Sequence, residues 1–206
     1  MILRIKNVLS DSAVRQAQSL LNGAMFVDGS LSAGSLAANV KHNEELSLQS
    51  PLHQQLNQIV MSSLVQNAEY QSAALPLKVA TAFYSRYQSG MSYGAHVDDA
   101  VMGPVSGRYR SDVSTTIFLN PPEDYEGGEL AIHTQYGVEL VKLEQGDAVV
   151  YPSGSLHEVK EVTFGERLVA VTWAQSMVKA AEQREMLFNV SQIRESLTSQ
   201  NNAEKA

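Results

Sequence analysis

Three residues stand out for the chemistry they could share. His96 and Asp98 lie two apart in the run Gly94-Ala95-His96-Val97-Asp98. Side chains two apart on a β-strand leave the same face, so an imidazole and a carboxylate here can reach one ion. His157 follows the turn Pro152-Ser153-Gly154 and opens a second short strand. In an antiparallel jelly roll that strand can lie beside the first. Two imidazoles and one carboxylate would then occupy one face of an octahedron and leave positions open, the pattern of non-haem iron centres. An H-x-D pair alone is weak evidence and is equally compatible with a solvated strand face. Arg167, ten residues after His157, adds weight. It opens the apolar run Leu168–Trp173, and an arginine at the start of a buried strand needs an anionic partner. Its planar fork suits a carboxylate. That partner is either a protein group, with Glu129 and Glu166 the nearest candidates, or a ligand.

The elements that must position these residues are legible as periodicities. From Leu77 the period is two, with strands expected near 78–87, 92–98, 113–120, 128–134, 138–143, 147–151, 156–160 and 167–174. Gly- and Pro-containing turns separate most of them. Many short strands at this spacing predict an antiparallel sandwich or jelly roll. Before them, residues 2–6 read as a strand. A helix capped by Ser10 or Asp11 runs to about Asn22, where Gly23 stops it. Residues 26–41 read as irregular or weakly extended. Ser50-Pro51 starts a second helix that reaches about Tyr70. Residues 176–198 read as helical again, packing on the sheets or on another subunit. The class is α+β, mainly β. Residues 1–76 form a mixed helical support, 77–175 the β-core and 176–206 a C-terminal helical segment.

Composition narrows the partners. The chain has 206 residues, enough for one sizeable core, and a formal charge of −7. An acidic surface repels phosphate backbones, so no nucleic-acid partner is expected. There is no cysteine, which excludes thiolate zinc sites, iron–sulfur clusters and thiol nucleophiles. Any metal must sit on His, Asp or Glu. The N-terminal run MILRIKNVLS lacks a continuous apolar stretch and reads as a strand, not a signal peptide. No run suggests a membrane span, so a cytoplasmic location is expected. Oligomeric state is not readable. His42, His53 and His133 read as surface or satisfied histidines.

Several further motifs surround the triad: Tyr87-x-x-Gly90-x-x-Tyr93-x-x-His96-x-Asp98, Leu119-Asn120, Gly127-Gly128-Glu129-Leu130 and Val171-Thr172-Trp173. Together they resemble the iron/2-oxoglutarate dioxygenase superfamily, in its prolyl-hydroxylase branch. The stretches Ala73–Leu77, Gly94–Asp98, Asp124–Leu130 and Gln175–Val178 resemble the bacterial PKHD-type hydroxylases over nearly the whole chain, a family associated with iron-uptake genes. This resemblance implies a double-stranded β-helix (jelly roll) flanked by N- and C-terminal helices. It implies Fe(II) at His96, Asp98 and His157, the distal carboxylate of the co-substrate 2-oxoglutarate at Arg167, and a second contact from Tyr87. O₂ would be the oxidant and L-ascorbate a reductant for the iron. Trp173, on the strand face of Arg167, would wall the pocket or simply fill the core. Animal relatives carry a tyrosine just before the Leu-Asn pair. Here it is Phe118, so a hydroxyl must come from elsewhere, with Thr116 and Tyr87 as candidates. The substrate is a peptidyl prolyl or lysyl residue or a small molecule. The alternative is a cupin-like metal- or ligand-binding module without oxygenase activity. The connection Asp99 to Asp112 is expected to close over the site on Gly103 and Gly107, with Arg108 and Arg110 drawing in an anionic substrate.

Overall fold

Strands that are apolar on both faces need cover on both faces, and the central strands of this chain are of that kind. The structure, a computed structural model, describes residues 1–32, 34 and 37–203. Val113–Phe118 is buried along its whole length. In the long strand Val162–Ser176, Leu168, Ala170 and Ala174 belong to one apolar cluster, whereas Val169 belongs to another. The first cluster lies under the helices. The second lies between two sheets.

The larger sheet has nine strands. Its main path runs Leu3–Ile5, Ala148–Pro152, Val113–Phe118, Val162–Ser176, Phe83–Gln88, Glu44–Leu46 and Phe26–Asp28; Tyr125–Gly127 and Pro76–Val79 also pair with the long strand. The smaller sheet has five strands, in the order Gly137–Val141, Leu130–Thr134, His157–Val159, Ser92–His96 and Lys41–His42. All pairings are antiparallel. Non-consecutive neighbours across two facing sheets make the expected jelly roll, mainly β with four helices among the described residues. The nominally irregular stretch 26–41 is more ordered than its composition suggests. Its strand Phe26–Asp28 edges the large sheet, and Lys41–His42 edges the small one; residues 33, 35 and 36 lie outside the described residues.

Helices cover the outer face of the large sheet. α1 (Asp11–Leu21) has Ser10 as its cap, accepting from the Ala13 amide, and buries Val14, Ala17 and Leu21. α2 (Leu52–Gln66) buries Leu56, Val60 and Leu64 completely, each contributing about 1.5–3 kcal/mol. The single helix expected to reach Tyr70 is broken. Asn67 adopts an extended conformation and its side chain caps α3 (Ala68–Ala74) by accepting from the Tyr70 amide. The C-terminal helix α4 (Ala181–Ala203) starts later than expected because the long strand runs on to Ser176. Its Phe188 and Arg184 are buried, while Met186, Leu187, Ile193 and Leu197 are exposed. Arg184 is therefore no solvated charge. It donates to the carbonyls of Val178, Lys179 and Asp112. Gly165 lies inside the long strand at φ +76°, where a Cβ would come 2.0 Å from the Asp124 carbonyl oxygen. Only glycine lets Tyr125–Gly127 pair there. Among the described residues no helix is long and apolar enough to cross a membrane.

Candidate active site

The inward faces of both sheets enclose a cavity of about 1040 Å³. Period-two geometry decides most of the residues that line it, and a register shift in the small sheet brings Tyr93 and His96, three apart, to the same side. From the large sheet come Ser85 and Tyr87, Thr116, Tyr151, and Arg167, Val171 and Trp173; from the small sheet come Tyr93, His96, His157 and Val159.

His96 and His157 sit on neighbouring strands as directly paired residues, with ring centroids 4.3 Å apart. Asp98 follows the His96 strand and turns back. Its Oδ1 lies 3.9 Å from the Nε2 of His96 and 3.8 Å from that of His157. One ligand atom from each of the three lies within 4.8 Å of the others. The Nδ1 of His96 is 2.8 Å from the Gly94 carbonyl and that of His157 is 2.9 Å from the Ser155 carbonyl. A carbonyl only accepts, so each Nδ1 carries the proton and each Nε2 presents its lone pair to the shared space. Burial, reinforced by His157, holds His96 down to about 4, so its ring is neutral at pH 7. Tyr93 stacks on His96 at 3.7 Å and Tyr151 meets His157 edge-on. Two imidazoles that turn Nε2 inward and a carboxylate suit Fe(II).

Arg167 lies across the same cavity, 1% exposed. Its guanidinium rests 5.0 Å from the Tyr87 ring centre and 5.6 Å from that of Phe118. Its Nε and Nη1 have no hydrogen-bond partner, and among the described residues no carboxylate lies within ion-pairing distance. Glu166 instead approaches Arg86, at 3.9 Å. Sequence reasoning did not foresee how Arg167 is aimed. Asn120 donates to the Glu166 carbonyl and accepts from the Leu168 amide, clamping the strand on both sides of it. Gly128, at φ +67°, leaves the space. A Cβ there would lie 3.1 Å from Arg167 Cδ and 3.0 Å from Tyr125 Cε2. Thr116, Tyr87 and Tyr151 all line the cavity. Burial pushes the Tyr87 hydroxyl up to about 12 and that of Tyr151 well above its ordinary value, so both stay protonated.

Other contacts were also invisible in the sequence. Asp98 Oδ2 accepts from Ser114 Oγ at 2.5 Å and from Trp173 Nε1 at 2.9 Å. Trp173 is thus neither a bare wall nor plain core. Lys41, from the edge strand of the small sheet, and Glu45, from the large sheet, form a buried ion pair of 2.5 Å in the cavity wall. The segment after Asp98 is not one loose loop. Val101–Met102 pairs with Tyr109–Arg110 as a small hairpin. Arg110 is tied through Nε and Nη2 to both oxygens of Asp112 and to the Ser176 carbonyl. Arg108 is exposed and does line the cavity. Lys78 joins it there and donates to the Gly107 carbonyl. His53 is near the Leu46 carbonyl and the Tyr84 ring, and His133 lies 3.5 Å from Glu158; neither lines the cavity.

Jelly roll, donor set and unpaired arginine are the features an oxygenase using iron(II) and 2-oxoglutarate needs, and the comparisons with known proteins give that class. The sequence pattern of the 2OG-Fe(II) oxygenase superfamily matches residues 82–175. Solved structures share the fold. A Pseudomonas putida prolyl-4-hydroxylase superposes with TM-score 0.55 at 18% identity, over 86% of this chain and 93% of that one. A Trichoplax adhaerens prolyl hydroxylase bound to a hypoxia-inducible-factor peptide fragment gives 0.59 at 17%, over 90% and 86%. Sequence relatives are nearer. A PKHD-type hydroxylase of Thioalkalivibrio sulfidiphilus is 50% identical, covering 98% of this chain and 90% of the relative. One of Saccharophagus degradans is 45% identical, covering 97% and 89%. The chain belongs to the PKHD-type hydroxylase family. It is a 2-oxoglutarate-dependent dioxygenase, which sets aside the alternative of a cupin-like module without oxygenase activity.

Proposed function

We propose that His96, Asp98 and His157 hold the Fe(II), that the Arg167 fork receives the distal carboxylate of 2-oxoglutarate, and that Tyr87 contacts the same end of the co-substrate. The observation that carries this reading is Arg167 itself. A fully buried guanidinium with two unpartnered N–H groups is costly unless an anion completes it. It faces the cavity that holds the triad. A two-point carboxylate satisfies both requirements.

When bound, Fe(II) supplies the activation of O₂ that couples conversion of 2-oxoglutarate into succinate and CO₂ to hydroxylation of a substrate C–H bond. The chain's own residues supply orientation and exclusion. The Nδ1–carbonyl bonds fix both imidazoles in the ligating tautomer. Arg167 sets the register of the co-substrate, and Tyr87 and Phe118 keep its fork dry. Protonated Tyr151 and Thr116 are placed to donate hydrogen bonds within the cavity. L-ascorbate completes the proposed requirement as the reductant that keeps iron ferrous. The cavity is at the upper end of the usual range for ligand pockets, about 300–1,000 Å³, so 2-oxoglutarate leaves space for a second molecule. We place a prolyl or lysyl side chain or a small molecule there, entering past Lys78 and Arg108.

Anaerobic loading with Fe(II) and 2-oxoglutarate, followed by O₂ and succinate quantification, tests the reading. Succinate should form in the wild type and fail in Asp98→Ala. Wild-type turnover in Asp98→Ala would overturn the ligand assignment.

A further inference from the structure

Asp98 lies two residues beyond the end of a small-sheet strand, yet its carboxylate is gripped from the large sheet. Ser114 and Trp173 are directly paired residues on adjacent strands. Both donate to the same atom, Oδ2, at 2.5 and 2.9 Å. A carboxylate offers about four lone-pair sites over its two oxygens. Two donors therefore occupy Oδ2, and only Oδ1 remains turned towards the imidazole Nε2 atoms, 3.9 and 3.8 Å away. The donors are themselves held. Ser114 is hydrogen-bonded to Ser153 Oγ at 2.7 Å, and both serines are almost wholly buried. The Trp173 ring meets Phe83 edge-on at 5.7 Å and 74°.

We infer that Trp173 and Ser114 are positioning residues that restrict Asp98 to one ligating oxygen and so keep a coordination position open beside it. The inference rests on the metal centre proposed above. A metal bound by two imidazoles and one carboxylate oxygen keeps three positions of an octahedron for a two-point co-substrate and O₂. Chelation by both Asp98 oxygens would take one of these positions. To chelate, the carboxylate would have to break two charge-assisted hydrogen bonds. Trp173 also lines the cavity, so the group that disciplines the ligand is the one an incoming substrate meets.

Co(II) is the probe, because its d–d absorption reports coordination number. It is titrated without O₂ into wild type, Trp173→Phe, Ser114→Ala and Ser114→Thr, with metal-free thermal unfolding measured alongside. Phe keeps a ring and loses the donor; Thr keeps the hydroxyl and suits a strand. Trp173→Phe and Ser114→Ala should each bind Co(II) roughly 10- to 100-fold more weakly, as loss of a ligand's outer partner does, with altered d–d bands. Ser114→Thr should restore both properties. Unchanged affinity and bands in the two variants would overturn the inference. So would a lowered unfolding temperature with unchanged bands, which is what mere structural support predicts. If Trp173→Phe does not fold, the Ser114 pair decides alone. Failure of the wild type to bind one Co(II), or wild-type binding by Asp98→Ala, would defeat the metal-centre reading instead.

Discussion

Arg167→Met removes the guanidinium while keeping an unbranched side chain between the Tyr87 and Phe118 rings. One charge-assisted hydrogen bond is worth about 1.5–3 kcal/mol, or roughly 10- to 100-fold in affinity. Two donors of Arg167 are unpartnered, so the loss of 2-oxoglutarate affinity should reach the upper end, about 100-fold. Thermal unfolding with metal present measures it without a substrate. At a concentration 100 times its dissociation constant, a ligand stabilises the wild type by about 2.7 kcal/mol. In a chain of 206 residues each kcal/mol moves Tm by about 2–4 °C, so 2-oxoglutarate should raise Tm by about 5–11 °C. At the same concentration the variant would sit near its own dissociation constant, where stabilisation is only about 0.4 kcal/mol, or ~1 °C. Without 2-oxoglutarate the variant should be no less stable than the wild type, because an unpaired buried cation has been replaced by an apolar group. Arg167→Lys, with charge but no fork, should fall between them. An equal shift in Arg167→Met and wild type would refute the assignment.

His96→Ala should lose metal stoichiometry in a titration, whereas His53→Ala, which lies outside the cavity, should bind one metal as before. Gly128→Ala should weaken 2-oxoglutarate binding by displacing Arg167 and cost about 1–3 kcal/mol through its positive φ; calorimetry and denaturant melts read the two effects. Lys41→Met leaves Glu45 buried without its cation and should cost about 3–5 kcal/mol, largely recovered in the double variant with Glu45→Gln. Arg110→Ala should lower Tm because Asp112 and the Ser176 carbonyl lose their shared partner. Arg108→Ala should leave Tm unchanged and alter only substrate-stimulated succinate release.

Much of the site was legible because strand geometry is local. The odd-numbered positions from 167 to 173 face inward together, so Arg167 and Trp173 share a wall; the strand expected to carry both His96 and Asp98 ends at His96, and Asp98 reaches the site from beyond it. Ser10 and Gly23 bounded the first helix for equally local reasons of capping and positive φ. What the residues do to one another was not legible. That His157 pairs directly with His96 depends on register between strands far apart in the chain. Local pattern also left open whether Arg167 had a protein partner; among the described residues the fold brings no carboxylate to it. Arg110 was expected to draw in a substrate, but the fold brings Asp112 and the Ser176 carbonyl to it, and it brings backbone carbonyls to Arg184. The grip on Asp98 comes from residues 16 and 75 positions away. Periodicity and turn chemistry record what a segment can do by itself. Hydrogen-bond partners and buried charges are settled only when sheets pack, because a polar group loses its water there and must take whatever donor or acceptor the opposing strand presents.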